Sequence, residues 1–397
     1  MQIVPRAATR RRIHSNLWGL AVSLLVLALS VWMVIVPAGI ASAQTPKDDH
    51  AASEPKIHII PTLGTNVGVI EGENALIIID PGFPEENASE FMRKLRELSA
   101  KPVAYVFNTH AHYDHSEGNG LFAREGAKVI GHSNLKYSSA HVDWTFSSRL
   151  TFKEDGLTLE AFYIPSHSYS DILIHIPEAN TLFLGDSFTT NSHPTFYAGG
   201  IAKQNEVIDL ALSLADDDTK IVPGHGVVST RQDLIAYRDK TNALYDHVIT
   251  LIDQGWSERR IHADEEYQSR MLAFNGENRS EFLDSTAVRR FAMRVANSEA
   301  LPSVDLDEQQ LELITGIYRQ TDGATLEVVV ERGAVFLRRT GDFIAELLPL
   351  GGEAFRMRAM ADVEVSFVRA GAHEPPTALL FRNGEDAPVE AVRSGTP

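Results

Sequence analysis

The 397-residue sequence contains no cysteine. That absence excludes disulfides, thiolate metal ligands, a cysteine nucleophile and a lipid-modified N-terminal cysteine, so any metal must be held by histidine and carboxylate side chains. Basic residues are also scarce: 36 Lys and Arg stand against 53 Asp and Glu, a formal charge of −17. Four of them, Arg6, Arg10, Arg11 and Arg12, lie in the first 43 positions, which carry no acid; without that stretch 32 basic residues face 53 acidic ones, or −21. A surface of that sign repels phosphate backbones and argues against a nuclease or other nucleic-acid binder. It keeps a protein soluble and says nothing of the substrate. Low-complexity tracts are lacking too. With 44% hydrophobic and 22% charged residues the chain can bury a sizeable core, and its length suits two domains plus additional segments.

One long hydrophobic run stands out, Leu17 to Val36, between the arginines and Pro37-Ala-Gly-Ile-Ala-Ser-Ala43-Gln44. A basic stretch, an apolar stretch and a small-residue site read as an export signal cleaved after Ala43. The run's 20 residues can also span a bilayer, so an uncleaved anchor is the alternative. Thr9-Arg10-Arg11-Arg12-Ile13 loosely suggests a twin-arginine signal, which would deliver a prefolded metalloprotein. The expected location is periplasmic or secreted, with a membrane contact only if the segment stays uncleaved. Residues 44–56 are polar and read as a linker.

From Ile57 short apolar runs alternate with helical periodicity, the pattern of an α/β fold. Strands are expected at Gly68 to Ile70, Ala75 to Ile79, Val103 to Phe107, Lys128 to Ile130, Leu157 to Ile164, Ile172 to Ile176, Thr181 to Leu184 and Lys220 to Val222. Helices are expected over Glu85 to Leu98 and Thr230 to Ile252, and helical sequence continues to about Asn297 with no chemistry evident in it. A first domain over 57–300 follows. After Pro302 the pattern changes to short strands, with a hairpin at Leu326–Glu331 and Ala334–Leu337, which sets off a small all-β domain over 308–393.

The chemistry concentrates in Asn108-Thr-His110-Ala-His112-Tyr-Asp114-His115, four metal-competent side chains within six residues just past a strand. Alternate residues of an extended segment point the same way, so His110 and His112 can grip one ion from one side, and a turn at Asp114-His115 can feed a second. His167, Asp186, His225 and Asp80 each follow a strand end, the place where open sheets present their ligands.

These motifs, in this order and with His115-Ser-Glu-Gly-Asn119 extending the central string, resemble the metallo-β-lactamase superfamily over about residues 57–230. Glu117 departs from the usual glycine. The resemblance implies an αββα sandwich with metals at one edge. It implies that His110, His112 and His167 hold one ion, that Asp114, His115 and His225 hold the other, and that Asp186 bridges them. Asp80 would fix a ligand loop by hydrogen bonds. Nitrogen and oxygen donors suit two zinc ions per chain, and iron or manganese accept the same set. The implied reaction is hydrolysis of a small-molecule ester, thioester or lactone-type bond by a metal-bridging hydroxide, with Asp114 orienting the nucleophile and relaying a proton. Tyr113, Tyr169, Tyr197 and His193 are candidate substrate contacts. A β-lactam substrate is the alternative, disfavoured by Asp186 where the lactamases usually carry Cys or Ser. A mononuclear iron oxygenase on the same fold is a second alternative, and a non-enzymatic binding module a third, although no ligand is missing.

Thr315-Gly-Ile-Tyr-Arg319 and the strand after it resemble the β-domain appended to some penicillin-binding-protein-like serine hydrolases. Its expected role is stability or covering the active-site rim, with partner or cell-wall binding as the alternative. Oligomeric state is left open.

Overall fold

In the computed structural model the strands form two facing sheets and a barrel. The structure describes residues 55–396 apart from 63, 83–86, 276–278, 300–303, 332, 340–342, 359, 372 and 384–386. The export signal and the linker up to residue 54 lie outside the described residues, among which no helix is long and apolar enough to cross a membrane.

The first sheet contains β1 (Lys56–Thr62), β2 (Thr65–Glu71), β3 (Leu76–Ile79), β4 (Val103–Phe107), β5 (Lys128–His132) and β6 (Trp144–Phe146), in that spatial order. The second contains β7 (Arg149–Glu154), β8 (Leu157–Tyr163), β9 (Ile172–Ile176), β10 (Thr181–Phe183) and β11 (Lys220–Val222), ordered β11-β10-β9-β8-β7. The apolar runs are unbroken because these strands are covered on both faces. Ile77 and Ile79 turn inward against Leu159, Ile172, Ile174 and Ile176 of the other sheet. Leu76 and Ile78 turn outward against Phe91 and Leu95 of the Ala88–Leu98 helix. Leu173 and Ile221 likewise face outward, onto Ile208, Leu234, Leu244 and Phe291 of the helices beyond the second sheet. The period of two thus divides each strand between two cores and gives the helix–sheet–sheet–helix layering expected.

The C-terminal β-domain is a closed barrel. β12 (Gly316–Gln320), β13 (Thr325–Glu331), β14 (Ala334–Arg339), β15 (Phe343–Gly351), β16 (Ala354–Met357), β17 (Met360–Val368), β18 (Ala378–Asn383) and β19 (Val389–Gly395) each pair with the next, and β19 pairs back onto β12. Alternate residues such as Leu326, Val328, Leu337, Leu347, Phe355 and Phe367 fill the interior. Closure removes the exposed edges that a small sheet would otherwise present. The barrel is joined to the sandwich by polar contacts. The buried Arg338 donates to the Tyr137 hydroxyl at 3.4 Å, that hydroxyl donates to Glu327 at 2.9 Å, and Tyr169 meets Phe336 edge-on at 5.6 Å.

Candidate metal centre

Five strand ends converge on one edge of the sandwich. β3 runs into Asp80, β4 into Thr109 and His110, and β10 into Asp186; His167 lies between β8 and β9, and His225 follows β11. Asp114 and His115 sit on a short helix, Tyr113–Ser116. Three groups result, each with its candidate ligand atoms within 4.8 Å of one another: His110, His112 and His167; His110, His115 and Asp186; Asp114, His115 and His225.

The hydrogen bonds behind the cluster fix which ring nitrogens face it. Asp80 accepts from the Thr109 backbone N–H at 2.7 Å, from the Thr109 hydroxyl at 2.5 Å and from His115 Nδ1 at 3.0 Å. The single Thr109 hydroxyl proton is therefore committed to Asp80, and toward His110 Nδ1, 3.2 Å away, that hydroxyl can only accept. His110 must carry its proton on Nδ1 and aim a lone pair inward from Nε2, which is buried and has no hydrogen-bond partner. His225 Nδ1 donates to the Gly64 carbonyl at 3.0 Å, and His167 Nδ1 sits 2.5 Å from Thr195 Oγ1. The inward atoms crowd: His115 Nε2 is 3.3 Å from His225 Nε2, and His167 Nε2 is 2.8 Å from His112 Nδ1. Lone pairs brought so close repel unless a cation lies among them.

Asp186 joins the two sides. Its Oδ1 is 3.2 Å from His115 Nε2 and 3.3 Å from His225 Nε2, and its Oδ2 is 3.6 Å from His167 Nε2. Burial alone would raise its pKa, but the His115 charge and the hydrogen bonds of His115 and His225 hold it well below the ordinary value. Burial also keeps His110 well below its ordinary pKa and pushes His167 down to about 3. His115 moves the other way: burial opposes its charge, and Asp186 and Asp80 overcome it. For His225 hydrogen bonds to Asp114 and Asp186 outweigh burial and lift it to about 10. Neutral imidazoles on one side and imidazoles that attract positive charge on the other make a donor set that fits two divalent cations. His112 and Asp114 are the most exposed members, so the centre opens on their side.

Several supporting residues had no signal in the sequence. Asp171 accepts from the Ser166 and Ser168 N–H groups and from Ser168 Oγ, at 2.9, 2.8 and 2.5 Å, and so shapes the turn that carries His167. Asn66 donates to the Pro223 and Gly226 carbonyls, both at 2.9 Å, and clamps the loop of His225. Asn119, which does carry a signal as the end of the extended motif, bonds Asn108, and Asn108 donates to the His115 carbonyl at 3.0 Å. Hydrogen-bonding side chains in a loop are ordinary in any sequence; only the partners, often far away in the chain, reveal their work. Two glycines permit close approach. A Cβ on Gly82 would fall 1.4 Å from the Asp114 carbonyl oxygen, and one on Gly224 would fall 2.0 Å from Asp186 Oδ1.

A cavity of about 350 Å³ opens beside His112 and His167. Of the candidate substrate contacts, Tyr169 and Tyr197 line it. Tyr113 is exposed on the short helix and does not line it. His193 is buried against Phe291 with Nδ1 on the Pro194 carbonyl, in a packing position away from the cavity wall. The helical stretch read as free of chemistry supplies Arg294 to that wall.

Two facing sheets clad by helices, with imidazoles and carboxylates converging at one edge, define the class of metal-centred αββα proteins. Residues 60–225 match the family model described as the metallo-beta-lactamase superfamily. It is similar to a probable hydroxyacylglutathione hydrolase of Schizosaccharomyces pombe, 29% identical over 155 residues, which are 37% of this chain and 57% of that protein. It is also similar to a hydroxyacylglutathione hydrolase of Pelagibacter ubique, 25% identical over 205 residues, 50% of this chain and 82% of that one. A third such hydrolase, from Erythrobacter litoralis, is matched over 52% of its length, so the chain spans little more than half of two of these three relatives. Among solved structures it is similar to ETHE1 from Myxococcus xanthus, with 19% identity, a TM-score of 0.42, and coverage of 57% of this chain and 98% of that one.

Proposed function

We propose that the protein is an exported hydrolase that holds two zinc ions and cleaves an ester, thioester or lactone-type bond. The observation that carries this reading is the placement of Asp186, which turns one oxygen to each of two facing imidazole groups. His110, His112 and His167 would hold one ion and Asp114, His115 and His225 the other, with Asp186 between them. Two such ions supply Lewis acidity toward a carbonyl oxygen and a water whose pKa lies near 7 instead of about 15.7. Similarity to hydroxyacylglutathione hydrolases supports an acyl thioester within this class.

Asp114 has the attributes of a proton carrier. It is partly exposed at the mouth of the centre, and its Oδ2 lies 3.1 Å from His225 Nε2. Burial would raise its pKa, but the hydrogen bond to His225 holds it below the ordinary carboxylate range, so it is ionised at neutral pH and free to accept a proton. Asp114→Asn is expected to lower turnover by about two to four orders of magnitude while leaving the fold intact. A folded, metal-loaded variant with near-wild-type turnover would remove Asp114 from that role.

The reading as a whole is tested by metal quantification together with a panel of lactone, thioester, ester, phosphodiester, sulfate ester and β-lactam substrates. Zinc at about two per chain, with turnover confined to the acyl members, is the expected result. A single iron with oxygen consumption would replace it by an oxygenase, and turnover of β-lactams alone would move the substrate class. Export is tested separately, by N-terminal sequencing of the protein recovered from producing cells, where Gln44 is the expected first residue.

A further inference from the structure

The cavity beside the metal centre is lined by more than metal-ligand candidates. Besides His112 and His167, its wall includes Arg294 of the Thr286–Glu299 helix together with Ile344, Ala345 and Arg358 of the barrel. The charge of Arg358 is already answered: Nε is 2.6 Å and Nη2 3.3 Å from the Glu346 carboxylate, and Nη1 donates to the Ser298 carbonyl. Arg294 is not. It is half-buried, lies over the Tyr197 ring at 5.0 Å, and among the described residues no carboxylate pairs with it. The Tyr197 hydroxyl beside it is a neutral hydrogen-bond partner that leaves its charge unanswered, and Tyr169 stands on the same wall. A sheltered cation without a counter-ion is costly unless something in the cavity answers it. One uncompensated guanidinium, presenting a planar fork of donors, matches a singly charged carboxylate better than a doubly charged phosphate.

We propose that this cavity receives the carboxylate-bearing end of the substrate, with Arg294 as its counter-ion, and that the C-terminal barrel is the wall that sets how long that end can be. The barrel then contributes to specificity as well as to stability. Its position is held by the bonds of Arg338 and Glu327 to Tyr137 and of Arg358 to Ser298, so Ile344 and Ala345 form a fixed stop. Recognition of this kind rests on the hydrolase reading for its purpose and is measurable without it.

The test is calorimetric binding of straight-chain diacids, from succinate to suberate, to the zinc-loaded full chain, each compared with the monoacid of equal length. Both kinds offer one carboxylate to the metals, and only the diacid offers a second to Arg294. The best-fitting diacid is expected to bind about tenfold or more tightly than its monoacid, the effect of one hydrogen bond to a charged group. Arg294→Gln should abolish that preference, and Arg294→Lys should keep part of it, since charge remains and the fork is lost. Ile344→Trp should shift the optimum to a shorter diacid with succinate unaffected. A wild-type protein with no diacid preference at any length overturns the proposal without recourse to a variant, as does a preference that survives Arg294→Gln. A diacid preference without turnover of any panel substrate would sink the hydrolase reading and leave the anion site standing; turnover without the preference would do the reverse.

Discussion

Asp186→Asn is expected to strip the protein of its two-metal character: below one ion retained per chain, and turnover reduced by about a thousandfold or more, roughly 4 kcal/mol of lost transition-state stabilisation. The two side chains have nearly the same shape, so the change isolates charge from volume. Volume matters here because the Gly224 backbone passes so close that even a Cβ at that glycine would strike Asp186 Oδ1. The amide fits the same slot, and its NH2 group would point a donor at whichever imidazoles it faces: His115 and His225 on one side, or His167 on the other. It also removes the negative charge that each ion would share. Asp80 and Asp114 still attract cations, so some metal can remain on the side of Asp114, His115 and His225. Metal content and turnover measured on the same preparation decide the matter. A variant that holds two ions and turns over within about tenfold of wild type would show that Asp186 does not link the two sides.

What could be read from the sequence follows the local patterns. The runs at 76–79 and 172–176 announce strands buried on both faces, and the polar residue that ends each of several runs marks the edge where the centre forms. His-x-His-x-Asp-His is legible because four ligand side chains in six positions on a strand end have no structural purpose of equal economy. The rest depends on contacts between distant segments. Asn66 serves His225 from about 160 residues away, and nothing near Asn66 in the chain says so. Barrel closure pairs Arg319 with Val392, which local alternation cannot foretell. Arg294 is hidden for a different reason. Val288, Phe291 and Val295 give its helix a plain packing face, and the arginine beside them looks like a solvated residue until the barrel and Tyr197 are placed around it.

Asp80 shows how far such a supporting residue can govern the chemistry, and two substitutions separate its roles. It sits at φ +53°, in the left-handed region that asparagine tolerates and alanine resists by about 1–2 kcal/mol. Both its oxygens accept from buried donors: one from the Thr109 N–H, the other from the Thr109 hydroxyl and His115 Nδ1. In Asp80→Asn the amide can keep the backbone bond only by turning its NH2 group toward His115. His115 must then accept at Nδ1 and carry its proton on Nε2, the atom that faces Asp186 and His225, and an imidazole so protonated is no ligand. Affinity for the ion held by Asp114, His115 and His225 is expected to fall about 10–100-fold, with turnover partly restored by excess zinc. Asp80→Ala removes the acceptor without imposing a donor, so His115 keeps its choice of tautomer and the metal loss is smaller. The alanine variant nevertheless melts lower, because it bears the backbone strain and leaves the Thr109 N–H unpaired. The order of the two variants by melting temperature should therefore be the reverse of their order by metal affinity, as read by chelator competition. A single order in both measurements would reduce Asp80 to a structural residue and leave the His115 tautomer to be set elsewhere.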